Sequence, residues 1–327
     1  MRVGYAERGE HAGAVAKEVL LSLKLAVGAF SPSVLLRVSR RTGRLDEHDL
    51  TVDEIPSSSS PAQFRSLLSG DLDAVLTSPD NVVAYRFVAD NPLAVTADVK
   101  IVSAVDRGLG LALYSRQGIS TVDQLRGATV GVDVPTSGFA CALYALAESI
   151  GLGRGDFQLV ALGSTPKRLD VLLAGRCDAT MLNAGNELRA EHAGCLPLAR
   201  VADVCAPYLG TVLSVAGDES LEPARRLAAA LRTTADDICS GSLDDLTVDE
   251  AVDALGLPRH LAERYVARLK DPQEGLVSDG RVDLAALRMV VDLRRRYLPS
   301  VVDGVDVLTG ALDPGSGLVA TLQPLDT

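Results

Sequence analysis

Residues 67–74 read Leu-Leu-Ser-Gly-Asp-Leu-Asp-Ala, and 105 positions later residues 172–179 read Leu-Leu-Ala-Gly-Arg-Cys-Asp-Ala. In each copy a helical pattern ends at a glycine, the residue that most readily adopts the left-handed conformation that closes a helix. Each copy then continues through Asp-Ala into a short apolar run, residues 75–76 or 180–182, that is typical of a buried strand. The motif therefore predicts the same helix–strand unit twice.

Both apolar runs end in polar residues that favour turns. The first is followed by Thr-Ser-Pro-Asp-Asn at residues 77–81, and the second by Asn-Ala-Gly-Asn at residues 183–186. Ligands of open α/β sheets bind beyond the carboxyl ends of such strands. Two copies of the unit in one chain predict two α/β lobes with a ligand cleft between them.

The bulk properties exclude several classes of protein. A chain of 327 residues is long enough for two lobes with separate cores. The net charge of −11 argues against a nucleic-acid partner, whose binding protein would be basic, and no apolar run is long enough to predict membrane insertion. Five cysteines and four histidines are scattered without the spacing of a metal site, so we predict neither a metal nor a cofactor.

The first residues bear on the location of the protein. Residues 1–22 carry acidic and basic side chains where a secretory signal would have an apolar stretch. The first cysteine is Cys141, so the beginning of the chain offers no thiol for a lipid anchor. The sequence therefore predicts a cytoplasmic protein in which residues 1–22 form an N-terminal arm.

Two helix starts stand out as candidate anion sites. A predicted core strand at residues 23–30 is followed by Ser31-Pro32-Ser33, which caps a helix over Val34–Arg41, and Pro-Thr-Ser-Gly at residues 135–138 begins a long helix. The free N–H groups at such starts attract carboxylates and phosphates. From residue 219 the pattern is helical, and the last thirty residues are predicted to form a loosely attached tail.

The order of these motifs resembles the type II periplasmic-binding-protein-like superfamily, in particular the nitrate/sulfonate/thiamine-precursor branch of ABC-transporter substrate-binding proteins. Besides the two repeats, the resemblance is carried by Val-Asp-Gln-Leu-Arg-Gly-Ala-Thr-Val-Gly-Val-Asp at 122–133, Thr-Ser-Gly-Phe at 136–139, Gly-Ser-Thr-Pro-Lys-Arg at 163–168 and Asp-Gly-Arg-Val-Asp-Leu-Ala-Ala-Leu at 279–287. It covers roughly residues 23–297.

This resemblance implies an α/β, two-lobed fold with an interlobe ligand cleft. Lobe one would comprise residues 23–113 together with 211–327, which include the C-terminal helices, and lobe two would comprise residues 114–210. Two crossover strands would act as the hinge, and the lobes would close around the ligand.

The resemblance also implies where ligand contacts fall. Members of the superfamily place them at the exit of the first strand, at both repeat exits and at the Thr-Ser-Gly helix start. Tyr208 is added because a side chain just before the return crossover could reach the cleft. The candidate ligand-binding residues are Ser31, Ser33, Ser78, Asn81, Thr136, Ser137, Gly138, Asn183, Asn186 and Tyr208.

Several of these residues have an ordinary structural interpretation as well. The Thr136-Ser137-Gly138 stretch either binds an anionic group or simply caps its helix, and the two asparagines at positions 81 and 186 either read a polar ligand or form turns. Asp80 is interpreted as a helix-dipole charge or, alternatively, as a base.

Other charged or nucleophilic side chains have an ordinary interpretation as well. Arg168 could clamp a carboxylate or be solvated, and Cys205 is a small buried hydrophobe or a nucleophile. The three arginines at residues 294–296 are predicted to be a solvated helix end.

Two functions remain open from the sequence. The first is a binding protein for a small polar molecule, with a carboxylate as its expected charged group. The alternative is a cytosolic biosynthetic enzyme on the same scaffold, a lyase, decarboxylase or cyclase without metal. Neither a catalytic triad nor a phosphate loop can be identified, so the binding function is preferred.

Overall fold

The computed structural model describes residues 22–320. The predicted N-terminal arm lies outside this range except for its last residue. Within the described range, no helix is both long and apolar enough to span a bilayer.

Two five-stranded sheets form the framework of residues 22–320. In chain order the strands are β1 (Leu23–Ala29), β2 (Leu50–Pro56), β3 (Ala74–Thr77), β4 (Val99–Asp106), β5 (Ala112–Ser115), β6 (Thr129–Val132), β7 (Gln158–Ala161), β8 (Ala179–Leu182), β9 (Leu196–Arg200) and β10 (Thr211–Ala216), followed by a hairpin of β11 (Val301–Val302) and β12 (Val305–Asp306).

Helices pack around both sheets and form most of the C-terminal third. They are α1 (Val34–Arg41), α2 (Ser60–Ser69), α3 (Pro79–Phe87), α4 (Gly138–Ser149), α5 (Thr165–Leu173), α6 (Asn186–His192), α7 (Val201–Val204), α8 (Leu221–Ser240), α9 (Asp244–Leu255), α10 (Arg259–Leu269) and α11 (Leu284–Tyr297).

The two sheets share one plan. The first has the strand order β2-β1-β3-β10-β4, with β1 parallel to β2 and β3 and with β10 antiparallel to its neighbours. The second has the order β7-β6-β8-β5-β9, with β6 parallel to β7 and β8 and with β5 antiparallel to its neighbours. The repeated strands β3 and β8 therefore occupy the central position of their sheets, and the α/β two-lobed fold is confirmed.

The repeated motif explains why these two strands lie alike. Gly70 and Gly175, with φ of 81° and 66°, turn the chain from the preceding helix towards the strand. The Asp73 carboxylate then accepts a hydrogen bond from the backbone N–H of Ala26 in β1, at 2.7 Å. Asp178 does the same for Thr129 of β6, at 2.9 Å. Each aspartate thus fastens its strand to the neighbouring parallel strand.

Helix α11 packs against both lobes. Its Leu287 and Val291 belong to a core that includes strands of the first sheet, whereas Leu293 and Tyr297 belong to the core of the second sheet. The C-terminal helices are therefore more than an appendage of lobe one, since one of them joins the two cores.

The expectation of a loosely attached tail is wrong for residues 301–320. Leu308, Ala311 and Leu318 are buried against the first lobe. The carbonyl of Leu318 accepts the N–H of Ile101, and Ala320 donates to the carbonyl of Ile101, both at 2.8 Å. The segment covers the edge strand β4, whose backbone groups would otherwise lack partners there.

Candidate ligand-binding cleft

A cleft with about 950 Å³ of empty space, counted out to its open mouth, is lined by residues of both lobes. The exits of β1, β3, β6 and β8 reach it, and so do the starts of the helices that follow the first three of these strands. This is the position that the carboxyl ends of strands in an open α/β sheet provide for a ligand.

Four helices begin at the cleft, each with a serine as its N-cap. These residues are Ser33 of α1, Ser78 of α3, Ser137 of α4 and Ser164 of α5. The first three hydroxyls each accept an N–H of their own helix, whereas the Ser164 hydroxyl makes no such bond. Four positive helix ends and one uncommitted hydroxyl make the cleft receptive to negative charge.

Most of the residues that the sequence singled out lie in this cleft. Those lining it are Ser31, Ser33, Ser78, Asn81, Ser137, Gly138 and Asn183. Their contact with a ligand stays a prediction, but the structure brings them together from both lobes.

The other three candidates do not line the cleft. Thr136 is exposed, and Tyr208 is only 3% exposed but packs in the core of lobe two. The Asn186 side chain donates to the carbonyl of Asn183 at 3.0 Å and lies 3.5 Å from the hydroxyl of Ser31. Asn186 therefore supports cleft residues and forms part of the boundary between the lobes.

Asp133 is a cleft residue that the sequence did not single out. It follows β6, and its carboxylate accepts the hydroxyl of Ser137 and, at 3.4 Å, that of Ser60 in lobe one. Burial raises the pKa of this carboxyl, and the nearby Arg168 guanidinium partly offsets the rise. Its place at a strand end before a Ser-Gly helix start was the available signal.

Arg168 is neither solvated nor free to clamp a carboxylate. It is 1% exposed, and its guanidinium donates to the carbonyls of Gly163 and Met181 and to the Thr165 hydroxyl, at 2.5, 3.1 and 2.9 Å. Burial lowers its pKa to about 10, so it keeps its positive charge near neutrality. Arg168 fixes the loop before α5 and adds positive charge to one wall of the cleft.

Backbone contacts join the lobes beside the cleft. The N–H of Ser164 donates to the carbonyl of Ser58, and that of Ala184 donates to the carbonyl of Leu109, both at 3.0 Å. At Gly163 a Cβ would lie 2.6 Å from the Ser58 oxygen, so only glycine permits this approach. The cleft is thus bordered by direct contacts between lobe one and lobe two.

A buried ion pair connects α3, α11 and lobe two. Arg294 donates to both carboxylate oxygens of Asp80, at 2.6 and 2.7 Å, and to the carbonyl of Thr136 at 2.8 Å. Both carboxylate oxygens of Asp80 are therefore engaged in a structural ion pair, which supports the structural interpretation of this residue over its role as a base. The prediction of a solvated end is wrong for Arg294, because α11 lies between the lobes and buries this residue to 4% exposure.

Two other titratable groups near the crossovers have structural roles. Asp106 lines the cleft, accepts the N–H of Gly108 at 2.8 Å, and has its pKa raised by burial to about 6. Cys205 is buried, and burial raises the pKa of its thiol to about 11. A protonated, buried thiol is a poor nucleophile, which removes the catalytic interpretation of Cys205.

Comparison with known proteins agrees with this geometry. Residues 38–255 match a family described as the periplasmic phosphonate substrate-binding protein of ABC transporters. A comparison with curated protein sequences finds no match.

Solved structures share the whole architecture. The alkanesulfonate-binding protein SsuA of Xanthomonas axonopodis pv. citri, bound to MOPS, is 15% identical with a TM-score of 0.68, over 88% of this chain and 96% of that one. The aliphatic sulphonate-binding SsuA of Escherichia coli is 17% identical with a TM-score of 0.65, over 93% and 94%. The nitrate-binding protein NrtA of Synechocystis PCC 6803 is 10% identical with a TM-score of 0.69, over 91% of each chain. At these identities the likeness establishes the fold.

The family match corrects the predicted location and decides between the two functions. The prediction of a cytoplasmic protein is wrong, because the matching family is periplasmic, as are the sulphonate-binding protein of Escherichia coli and the nitrate-binding protein of Synechocystis. The alternative of a biosynthetic enzyme gains no support from any of these comparisons. The resemblance noted in the sequence is confirmed, and the chain belongs to the family of periplasmic phosphonate substrate-binding proteins of ABC transporters.

Proposed function

We propose that this substrate-binding protein captures a small molecule through an anionic head group, which binds at the starts of α4 and α5. The observation that carries the proposal is the convergence of four serine-capped helix starts on one cleft. Helix starts bind carboxylate, sulfonate and phosphonate oxygens through the same free N–H groups. The head group is therefore assigned by its charge and its oxygen acceptors.

Ser164 is the residue that we expect to bind the head group most directly. It lines the cleft, its hydroxyl caps no N–H of α5, and its backbone N–H already donates to the carbonyl of Ser58. The hydroxyl is thus available to donate to an anion. From the opposite lobe, Ser31 and Asn81 would contact the same ligand.

Closure around the ligand follows from the two crossovers between the sheets. We propose that the first sheet with its helices moves as one body and that strands β5 to β9 with their helices move as the other, with the hinge near Gly108 and Gly210. The Gly210 N–H donates to the carbonyl of Asp106 at 2.9 Å, which ties the two crossovers together. Ligand held by both lobes would favour the closed arrangement by its differential affinity.

The test uses probes that share a hexyl chain and differ only in the head group. Isothermal titration calorimetry compares heptanoate, hexanesulfonate and hexylphosphonate with hexan-1-ol and hexylamine. At least one of the anions should bind at least tenfold more tightly than the alcohol and the amine. Equal or tighter binding of hexylamine or hexan-1-ol, or no binding of any anion, would overturn the proposal.

A matched pair of variants locates the head group. Ser164→Ala should weaken binding of the preferred anion about tenfold, because a hydrogen bond to a charged group contributes roughly 1.5–3 kcal/mol. Its melting temperature should stay unchanged, since the hydroxyl caps no N–H. Ser149→Ala, at the far end of α4, is the control and should bind as the wild type does. Unchanged affinity in Ser164→Ala would contradict the assignment.

A further inference from the structure

We infer that the ligand also carries an apolar body, a hydrocarbon chain or ring, that lies on an apolar wall of the cleft formed by lobe one and α10. The inference rests on the proposed function for the head group. It adds the chemistry of the rest of the molecule.

The apolar wall is defined by six residues of the cleft lining. Its residues are Leu35, Val105, Leu109, Tyr265, Leu269 and Leu276. All six belong to one hydrophobic core cluster and are at most 8% exposed. The cleft therefore opens directly onto the core of lobe one, and ligand atoms that face this wall meet carbon.

Part of the wall lies outside the family match. The matched residues end at position 255, whereas Tyr265 and Leu269 lie on α10 and Leu276 follows it. The polar head-group residues at the starts of α4 and α5 lie inside the match. The head-group residues of α4 and α5 thus lie within the matched range, and much of the apolar wall comes from a part of this chain beyond that match.

The carboxyl of Asp106, which follows Val105 in the cleft lining, does not make the wall polar. Asp106 accepts the N–H of Gly108, and its carboxyl is also bonded by Thr211. These bonds engage the carboxylate with the crossover backbone. Water over the remaining wall finds few hydrogen-bond partners, so its displacement by hydrocarbon is favourable.

The extent of the cleft lining leaves a place for such a body. The lining includes both the helix starts and the apolar wall, and the empty space between them, counted out to the open mouth, is about 950 Å³. A head group with two or three oxygens occupies only a small part of that space. An unsubstituted small anion would leave the apolar wall uncovered.

The test varies chain length at a constant head group. Calorimetry compares ethyl with hexyl forms of the phosphonate and the sulfonate, and propanoate with heptanoate. Burial of each additional methylene is worth about fourfold in affinity, so the hexyl phosphonate or sulfonate, with four more methylenes, should bind about 250-fold more tightly than its ethyl form. Affinities within threefold of each other, or tighter binding of the short form, would overturn the apolar body and leave the head-group proposal intact. Absence of binding by every anion would overturn both.

Two variants test whether the apolar wall causes the gain in affinity with chain length. Val105→Phe should narrow it and reduce the hexyl-to-ethyl ratio at least tenfold, and Leu269→Ala should lower hexyl affinity about tenfold by removing contact area. Val248→Phe is the control, because Val248 belongs to the same core cluster but does not line the cleft. Circular dichroism melting selects the variants that fold. An unchanged ratio in a folded Val105→Phe or Leu269→Ala protein would contradict the inference.

Discussion

The two copies of the repeated motif behave alike up to the end of the strand and differently beyond it. In both, an aspartate fastens the strand to its parallel neighbour through a backbone N–H. Beyond β3 the chain enters α3, where Asp80 pairs with Arg294 of α11. Beyond β8 it enters α6, where Glu187 pairs with Arg268 of α10 at 2.5 Å. The repeat builds each sheet, and the following residues attach each lobe to the C-terminal helices.

The two attachments differ in how fully their charges are compensated. Both oxygens of Asp80 receive a hydrogen bond from Arg294. Only one oxygen of Glu187 is bonded by Arg268, whose guanidinium is shared with Glu274 at 3.0 Å. Burial raises the pKa of Glu187 to about 7 in spite of this neighbour. The first attachment is a fully paired ion pair. In the second, the protonation state of Glu187 changes with pH near neutrality.

The largest effect is expected from breaking the fully paired ion pair. Arg294→Met leaves the Asp80 carboxylate buried without its partner and should lower the free energy of unfolding by about 3–5 kcal/mol, measured by urea denaturation at pH 7.5. Arg268→Met should cost less, because Glu187 already has a raised pKa and can take up a proton. A cost below about 1 kcal/mol for Arg294→Met, or a larger cost for Arg268→Met, would contradict this ranking.

The next effect is on the pH dependence of stability. Because the folded-state pKa of Glu187 is raised, its contribution to stability is fully present below the unfolded pKa near 4.5 and is lost as pH rises through about 7. The wild type should therefore lose on the order of 2 kcal/mol between pH 5 and pH 8, part of it from Asp106, whose pKa is raised in the same direction. Glu187→Gln should flatten this slope in urea titrations. A slope unchanged by the substitution would exclude Glu187 as its source.

A smaller and symmetrical effect is expected inside the repeats. Asp73→Ala and Asp178→Ala each remove the acceptor of a strand N–H and should each cost about 1–3 kcal/mol. The exposed Asp71, two residues before Asp73, is the control, and Asp71→Ala should stay within about 0.5 kcal/mol of the wild type. Differential scanning calorimetry of the three variants would show whether the two copies are equivalent; a cost in one copy alone would break the comparison.

The smallest effect concerns Asp133 and the binding of anions. Because its pKa is raised, protonation as pH falls removes a negative charge from the cleft. Affinity for hexanesulfonate, whose own charge is constant, should rise a few-fold as pH falls, and Asp106, which also lines the cleft with a raised pKa of about 6, contributes to this rise. Asp133→Asn should bind hexanesulfonate more tightly than the wild type at pH 8, because it removes one negative charge from the cleft, and should keep the part of the pH dependence that comes from Asp106. Weaker binding by Asp133→Asn would instead indicate that the carboxylate contacts a cationic group of the ligand.

Local chemistry made much of the fold and part of the cleft predictable. Helix α1 was predicted with its observed bounds, because Ser33 is an N-cap and Pro32 precedes it in a short-range pattern. Ser78 and Ser137 were predicted in the same way, because an N-cap is recognised from its near neighbours in the sequence. Each of them follows the end of a strand, and this position places it in the cleft. The two repeat glycines also act locally, through their positive φ.

What the sequence did not predict depends on distant pairings. Asp80 and Arg294 are 214 residues apart, and neither position indicates that the other will neutralise it. Tyr208 was placed in the cleft by its position near a crossover, but packing turns it into the core of lobe two. The sequence did not predict the apolar wall, because a leucine on α10 has the same sequence pattern whether it packs in the core or lines the cleft.

The most direct test of the account is a crystal structure of the protein with bound hexanesulfonate. We predict sulfonate oxygens about 3 Å from the Ser164 hydroxyl and from the first N–H groups of α4, with the six-carbon chain against Leu269 and Leu276. Density for the ligand outside the space between the lobes, or with the sulfonate against the leucines and the chain at the helix starts, would contradict it.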